Sequence, residues 1–564
     1  MTGDAAIAGL GMTSLGRVFG SSPRRLAASA VRLAAADAGM SVTDLDGLLI
    51  CPGITGGLDV GLAGHLGLRD LALLAVVNSF GASAATAVQV AAQAVASGAA
   101  RAVACVFADT PLREGRPAGS AFGRGGEAGA APPERHGLAG LAAGYGFSSV
   151  TVYYALAAKR HMERFGTTSE QFGAIAVAQR RWAAGNPAAQ YRKPITLAGH
   201  QASRWVAEPL HLLDCSLVSN GAIAVIVTSA LAAADGPRPP VHIWGWGQGH
   251  PGQPMARDSD FGLVTGAVQA GRAAMGAAGV GAADITMCQI YDCYTYTVLV
   301  TLEDYGFCAK GEGGPFAASG ALAPGGSLPV NTGGGQLSAY YMWGFTPLSE
   351  AVIQARGDGG DRQSPATDVI LVSGNGGILS HHGSLIVSPH RRDHASRPPR
   401  PSPPATASTP AAGPRAPDAA AGLPVLAGPD QLGVVRSDPR GEAFFAAAAE
   451  DVLMIRRCGG CGTWLAPTAS DCQGCPDDSE LTWAPASGRG TLVSWSVVHP
   501  RDGGPVAVPA LVELDEGPWL STALRLAGPQ DLASLRAGQQ LLARFVHPAQ
   551  GASYPVFGPP VSPG

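Results

Sequence analysis

Between Arg391 and Asp418 the chain becomes rich in proline, alanine, serine and arginine, and it includes Pro398-Pro399-Arg400-Pro401 and Pro403-Pro404. Proline fixes its own φ and has no amide hydrogen to donate, so neither a regular helix nor a sheet interior can run through such a stretch. It reads as an extended, semi-stiff linker, placed at residues 391–435, that divides the 564 residues.

After the linker, Ser437-Asp438-Pro439 has the form of a helix start, and Glu442 to Ile455 carries an Ala-rich apolar pattern suited to a docking helix. Next come Cys458-Gly459-Gly460-Cys461, ten intervening residues, and Cys472-Gln473-Gly474-Cys475. Two Cys-x-x-Cys knuckles let four thiolates surround one zinc ion, with glycines for the tight turns; a metal-free ribbon or a redox dithiol is the alternative. Four sulfurs fill the coordination sphere, so the expected role of Zn2+ is structural. Short strand patterns at 490–498, 510–514 and 540–545 then predict a small β-barrel. The docking helix and zinc ribbon are assigned to 436–480 and the barrel to 481–564. Barrels of this kind often bind nucleic acid, but this one has few Lys or Arg and no alternation of aromatic with basic residues, so no nucleic-acid partner is expected.

Lys+Arg 38 against Asp+Glu 42 leaves a net charge of −4, with no global basic field to recruit a polyanion; a local patch for the phosphates of a thioester carrier stays open. The N-terminus lacks a basic region followed by an apolar core, and other apolar stretches are interrupted before membrane-spanning length, so a soluble, cytoplasmic protein is expected. Six of the ten cysteines are scattered through the first 308 residues, which suits a reducing compartment better than a disulfide framework.

Upstream of the linker, Val77-Asn78-Ser79-Phe80-Gly81-Ala82-Ser83-Ala84 leads into a small-residue helix pattern through Gly98 and then an apolar strand, Arg101 to Ala108. Met287 to Tyr296 reads MCQIYDCYTY, Val330 to Ser338 forms an Asn- and Gly-rich loop followed by Tyr341, and Val372-Ser373-Gly374-Asn375-Gly376-Gly377 is a third Gly-rich turn. Together these segments resemble the sterol-carrier-type thiolases over roughly residues 5 to 390. In that alignment Gly81 stands where the family has its nucleophilic cysteine, Tyr291 and Tyr341 stand at histidine positions, and the turn of the second cysteine lacks a thiol. The pattern resembles the thiolase-like lipid-transfer proteins that act as steroid side-chain aldolases, with paired tyrosines at these positions. The resemblance implies an α/β fold, the five-layer αβαβα arrangement of two similar halves, here 1–235 and 236–390, that pairs into a homodimer. No repeat between the halves is apparent in the sequence. The C-terminal part resembles the DUF35 family of zinc ribbon plus OB-fold, whose members accompany thiolase-like enzymes and acyl-CoA hydratases, which implies a docking surface for a hydratase.

A thiolase needs a cysteine to carry the acyl group. Without one, the resemblance implies retro-aldol cleavage of a β-hydroxyacyl-CoA, including a steroid or other bulky side chain, to a ketone or aldehyde and a short acyl-CoA such as propionyl-CoA or acetyl-CoA. Tyr291 and Tyr341 are the expected acid-base pair, with base and acid left unassigned and the base's phenol expected to be lowered from its usual pKa of about 10. Gly81, Tyr294, Asn375, Gly376 and His381 are the expected substrate and oxyanion pocket; the residues that grip CoA are not legible. Against this stands the plain reading of Tyr291 as a core side chain in an apolar strand, and of Tyr341 as part of a packing cluster with Tyr340, Met342 and Trp343. Asp292 and Cys293 are expected to be structural, His382 to cap or support the turn, and His136 to sit exposed in the loop Gly115 to Gly146. Two other functions are carried: an acyltransferase or Claisen enzyme using Cys293 or Cys105, and a non-catalytic acyl-CoA carrier or scaffold.

Overall fold

Alanine-rich helices alternate with runs of branched aliphatic residues, the pattern of strands buried on both faces, and the chain lays that pattern down twice. The computed structural model describes residues 4–118, 134–252, 256–392, 426, 434–475, 480–501, 503–504 and 506–560; nearly all of the Pro-rich linker therefore lies outside the described residues. The first half runs β1 (Ala5–Met12), α1 (Pro23–Asp37), β2 (Gly47–Pro52), β3 (Leu73–Val76), α2 (Ser83–Ser97), β4 (Ala102–Asp109), α3 (Val150–Phe165) and β5 (Gly221–Ser229). The second runs β6 (Val241–Gly249), α4 (Ala267–Ala278), β7 (Met287–Gln289), α5 (Thr295–Asp304), α6 (Phe345–Ala355), β8 (Ile370–Gly376) and β9 (His381–Ser388).

The two halves pair their strands alike. β2 is parallel to β3 and β4, and β5 is antiparallel to β4 and β1. Likewise β8 is parallel to β7 and antiparallel to β9, which is antiparallel to β6, while Val330 bridges β7 where the first half has β3. Among the described residues the half-sheets join through Ala6 opposite His242 and Ile7 opposite Val241. Helix α1 covers the outside of one half-sheet and α4 that of the other, whereas α2 and α6 touch strands of both. The result is the expected five-layer αβαβα sandwich, with its core around the two central helices.

A short internal repeat is present after all. Ala38-Gly39-Met40 before Asp44-Leu45 corresponds to Ala278-Gly279-Val280 before Asp284-Ile285. Gly39 and Gly279 both take the left-handed conformation that ends a helix, at φ 71° and 67°. Asp44 then accepts the Ser41 amide at 2.8 Å, and Asp284 the Gly281 amide at 2.7 Å.

Beyond the linker the predicted helix is shorter than its apolar pattern. It spans Glu442–Ala448, and Met454–Cys458 is instead a strand paired with Leu481–Pro485, because the backbone there is claimed by the ribbon sheet. Five antiparallel strands follow: Arg489–Trp495, Pro509–Leu514, Trp519–Ala523, Gln540–Val546 and Tyr554–Gly558. The bridge between Leu524 and Phe557 draws the sheet edges together into the small barrel.

This barrel sits against α3. Ser494 Oγ donates to the Leu156 carbonyl at 2.7 Å, Lys159 lies 4.3 Å over the Trp495 ring, and Arg160 lies 4.8 Å over Trp519. Glu208–His499 and Arg257–Glu513 contacts, both at 2.7 Å, flank that helix. His136, exposed as expected, pairs with Arg436 in a short parallel bridge between the two parts of the chain. Among the described residues no helix is long and apolar enough to cross a membrane.

Candidate active site

Strand β7 ends at Gln289, so Tyr291 stands on a turn before α5 and not inside an apolar strand. The Asn331 side chain shapes that turn by accepting the Ile290 amide at 2.7 Å. Tyr341 lies on the loop between a short helix, Gly335–Ser338, and α6. The two phenol oxygens meet at 3.0 Å, with ring centroids 6.4 Å apart and the rings tilted by 61°. Tyr291 is buried and Tyr341 is half-buried, so the pair reaches outward through Tyr341.

Asp292 holds the two loops together: its carboxylate accepts the Gln336 amide at 2.9 Å and the Leu337 amide at 3.2 Å. These contacts are of the structural kind expected for it. Burial pushes its carboxyl up to about 7 against the opposing pull of those amides. Ser219 braces the other loop by accepting the Tyr341 amide at 2.9 Å.

Gly81 lies in the turn Phe80–Ala82 at the head of α2. A Cβ there would fall 2.3 Å from Tyr291 Cε2, 2.4 Å from its Cζ and 2.1 Å from the Asn375 carbonyl oxygen. The Tyr291 ring therefore occupies the volume that a cysteine side chain at this place would need. Backbone strain gathers around the same point. Of the eight described non-glycine residues with left-handed φ, five lie in the segments that carry Gly81, the Ile290 turn, Tyr341 and the Gly376 turn: Phe80, Asn331, Trp343, Ile378 and Leu379. Such strain persists where surrounding packing over-determines it, commonly at functional sites.

The electrostatics differ from expectation. Burial raises both phenols well above the ordinary tyrosine value; Tyr341 adds to the effect on Tyr291, and Cys293 adds to the effect on Tyr341. Burial thus acts in the direction opposite to the lowered phenol that was expected.

The remaining pocket residues are spread around this centre. Tyr294 turns toward α3, where its hydroxyl meets Thr151 Oγ1 at 2.8 Å and its ring packs 4.7 Å from Tyr154. Asn375 and Gly376 end β8 against the Gly81 turn, and both polar atoms of the buried Asn375 amide lack a protein partner among the described residues. His381 is on the rim, stacked on Phe80 at 6.4 Å and bonded to His250 at 3.1 Å. His382 instead is buried and bonded to Tyr305 and Ser373. Thr151, Tyr154 and Ser219 were not singled out from sequence: each comes from a distant segment with no local motif.

Neither displaced thiol suits a nucleophile. Cys105 is fully buried in β4, and burial pushes the Cys293 thiol up to about 12.

In the ribbon, the four Sγ atoms of Cys458, Cys461, Cys472 and Cys475 lie within 4.8 Å of one another. The pairs Cys458–Cys475 and Cys461–Cys472 are 3.7 and 3.6 Å apart, close to the edge of about 3.8 Å expected for tetrahedral zinc thiolates. The cluster can hold a metal ion.

Fold and site together define a thiolase-type α/β protein in which the Tyr291 ring, in contact with Tyr341, fills the volume beside Gly81. A family model for the thiolase C-terminal domain-like fold matches residues 247–389, and one for the ChsH2 C-terminal OB-fold domain matches 483–546. The steroid side-chain-cleaving aldolase of Thermomonospora curvata is 38% identical over 383 residues, 67% of this chain and 96% of the relative. The 17-hydroxy-3-oxo-4-pregnene-20-carboxyl-CoA lyase of Mycobacterium tuberculosis is 37% identical over 388 residues, 67% of this chain and 97% of its own. A solved Ltp2-ChsH2(DUF35) aldolase superposes with a TM-score of 0.60 at 37% identity, covering 68% of this chain and 98% of that one. A monomeric SCP2-thiolase-like protein from Mycobacterium smegmatis, at TM-score 0.62 and 16% identity over 98% of this chain and 99% of that one, is alike in fold alone. The chain belongs to the family of steroid side-chain-cleaving aldolases.

Proposed function

We propose that this protein is a carbon-carbon lyase that cleaves a β-hydroxyacyl-CoA by a retro-aldol reaction, with a steroid or similarly bulky side chain as the acyl group. The observation that carries the reading is the 3.0 Å contact between the phenols of Tyr291 and Tyr341, the proposed catalytic pair. Two neutral phenols in contact form a relay. The substrate hydroxyl gives its proton to one phenol oxygen as the α–β carbon bond breaks, that phenol passes its own proton to the second, and the second protonates the α carbon. The hydroxyl proton ends on the acyl-CoA, the carbonyl product leaves, and no net charge is left on either tyrosine. Such a relay needs no lowered phenol, which suits the burial of the pair. Backbone amides around Gly81 and the Gly374–Gly377 turn are the proposed donors to the enolate oxygen. Incubation with a panel of β-hydroxyacyl-CoAs tests this: a free ketone or aldehyde should appear with propionyl-CoA or acetyl-CoA, whereas an acyl-enzyme mass would favour the acyltransferase reading.

The proposed metal is one structural Zn2+ on Cys458, Cys461, Cys472 and Cys475. Elemental analysis should find about one zinc per chain, and Cys461→Ser or a strong chelator should lower the melting temperature without preventing the thiolase-like part from folding. Zinc-free protein of unchanged stability would refute it.

The proposed division of the chain is 1–235 and 236–390 for the two halves, 391–435 for the linker, 436–480 for the ribbon and 481–564 for the barrel. We also propose a homodimer through the thiolase-like core. At the free edge of the sheet, Leu74 and Val76 of β3 are 41% and 45% exposed, and an apolar edge strand with unpaired backbone groups favours pairing. The barrel and ribbon are proposed to dock an acyl-CoA hydratase. Gel filtration answers both: the protein should elute at twice its chain mass, Val76→Lys should shift it to monomer, and a candidate hydratase should co-elute.

A further inference from the structure

From Gln171 to Ala207 the chain carries Arg180, Arg181, Arg192, Lys193 and Arg204 and no acidic residue, although the whole protein has a net charge of −4. Among the described residues none of these five forms an ion pair with a carboxylate. Tyr191 is 52% exposed, and Arg192 and Lys193 beside it are exposed as well. The Arg180 guanidinium lies 5.3 Å from the Tyr191 ring and is itself held by Ser338 Oγ at 2.8 Å and the Lys193 carbonyl at 3.4 Å.

This basic segment is tied to the reactive loop. The Gln190 and Tyr191 amides donate to the Ala339 and Ser338 carbonyls at 3.1 and 3.0 Å. Gln190 Nε2 donates to Ser219 Oγ at 2.8 Å, and the same oxygen accepts the Tyr341 amide at 2.9 Å. An exposed aromatic ring packed by one cation, followed by two more cations without counter-charges, is the chemistry that receives a nucleotide: the ring stacks on a base, and the cations bind phosphates.

We propose that Tyr191, Arg192 and Lys193 form the subsite for the nucleotide end of the thioester carrier, an adenosine bearing a 5′-diphosphate and a 3′-phosphate. The proposal rests on the lyase reading for its substrate, and it adds the place where the carrier is gripped. The subsite and the Tyr341 loop are joined through Gln190 and Ser219, so the proposal couples the grip on the nucleotide to the position of that loop.

The test compares wild type with Tyr191→Ala/Arg192→Gln/Lys193→Gln on one acyl group carried by CoA or by pantetheine, which lacks the nucleotide. The ratio of kcat/KM for the CoA thioester to that for the pantetheine thioester should fall about tenfold or more. An unchanged ratio overturns the subsite. Calorimetric titration with free CoA and with 3′-phosphoadenosine 5′-diphosphate decides it independently of catalysis: binding should weaken by a comparable factor, and equal affinities would overturn it. If the wild type cleaves neither thioester the lyase reading fails, and the titration alone still settles the subsite. Should the triple variant not fold, Lys193→Gln, which alters one exposed side chain, is measured in the same two assays, with a smaller fall expected and no fall overturning the proposal.

Discussion

Tyr291→Phe and Tyr341→Phe are each expected to lower turnover about 100-fold or more while leaving the protein folded and able to bind its thioester. Each substitution keeps the ring that fills the site and removes only the hydroxyl. The lost phenol–phenol contact should cost about 1 kcal/mol of stability, small beside the effect on rate. Because a relay works only when both members are present, the double variant should be little slower than either single one. Turnover, thioester binding and melting temperature measured on all three variants check this. A single variant that cleaves at the wild-type rate would remove its tyrosine from the mechanism. Loss of cleavage with binding retained would exclude the carrier or scaffold reading.

Gly81→Cys, the change that would seem to restore a thiolase nucleophile, is expected to abolish activity instead. Its Cβ would lie 2.1 Å from the Asn375 carbonyl oxygen and within 2.4 Å of two atoms of the Tyr291 ring. Neither backbone nor a buried ring yields at small expense, and overpacking of this kind typically costs about 1–3 kcal/mol. The ring must move, and the 3.0 Å contact with Tyr341 is lost with it. Gly81→Ala should have much the same effect, which separates crowding from any chemistry of the thiol. Turnover should drop at least as far as in Tyr291→Phe, with a lower melting temperature and no acyl-enzyme by mass spectrometry. A stable variant carrying an acyl group on residue 81 would overturn the view that ring and thiol compete for one volume.

Much of the fold was legible because its signals are local. The small-residue run after Gly81 is the helix at the centre of the sandwich, and the strand patterns near 490, 510 and 540 are strands of the barrel. The cysteine spacing alone pointed to the four sulfurs that lie within 4.8 Å of one another. Where local pattern failed, pairing elsewhere had intervened. The apolar run from Glu442 to Ile455 looks helical throughout, yet its end is recruited into a ribbon strand. Tyr291 reads as part of an apolar strand from Gln289 to Tyr294, and the turn that releases it is set by Asn331, 41 residues beyond Ile290.

By itself the sequence determined that no thiol stands at position 81, that two tyrosines replace the family's polar groups, and that a four-cysteine ribbon and a barrel follow a proline-rich break. Only the tertiary structure decided that the two phenols touch, that the Tyr291 ring fills the space left by Gly81, and that burial raises the phenols when the simplest mechanism would lower one. Residue identity is written along the chain. Contact, volume and desolvation depend on which distant segments are folded against each other, and here the loops that carry Gly81, Tyr291 and Tyr341 converge from separate parts of the chain.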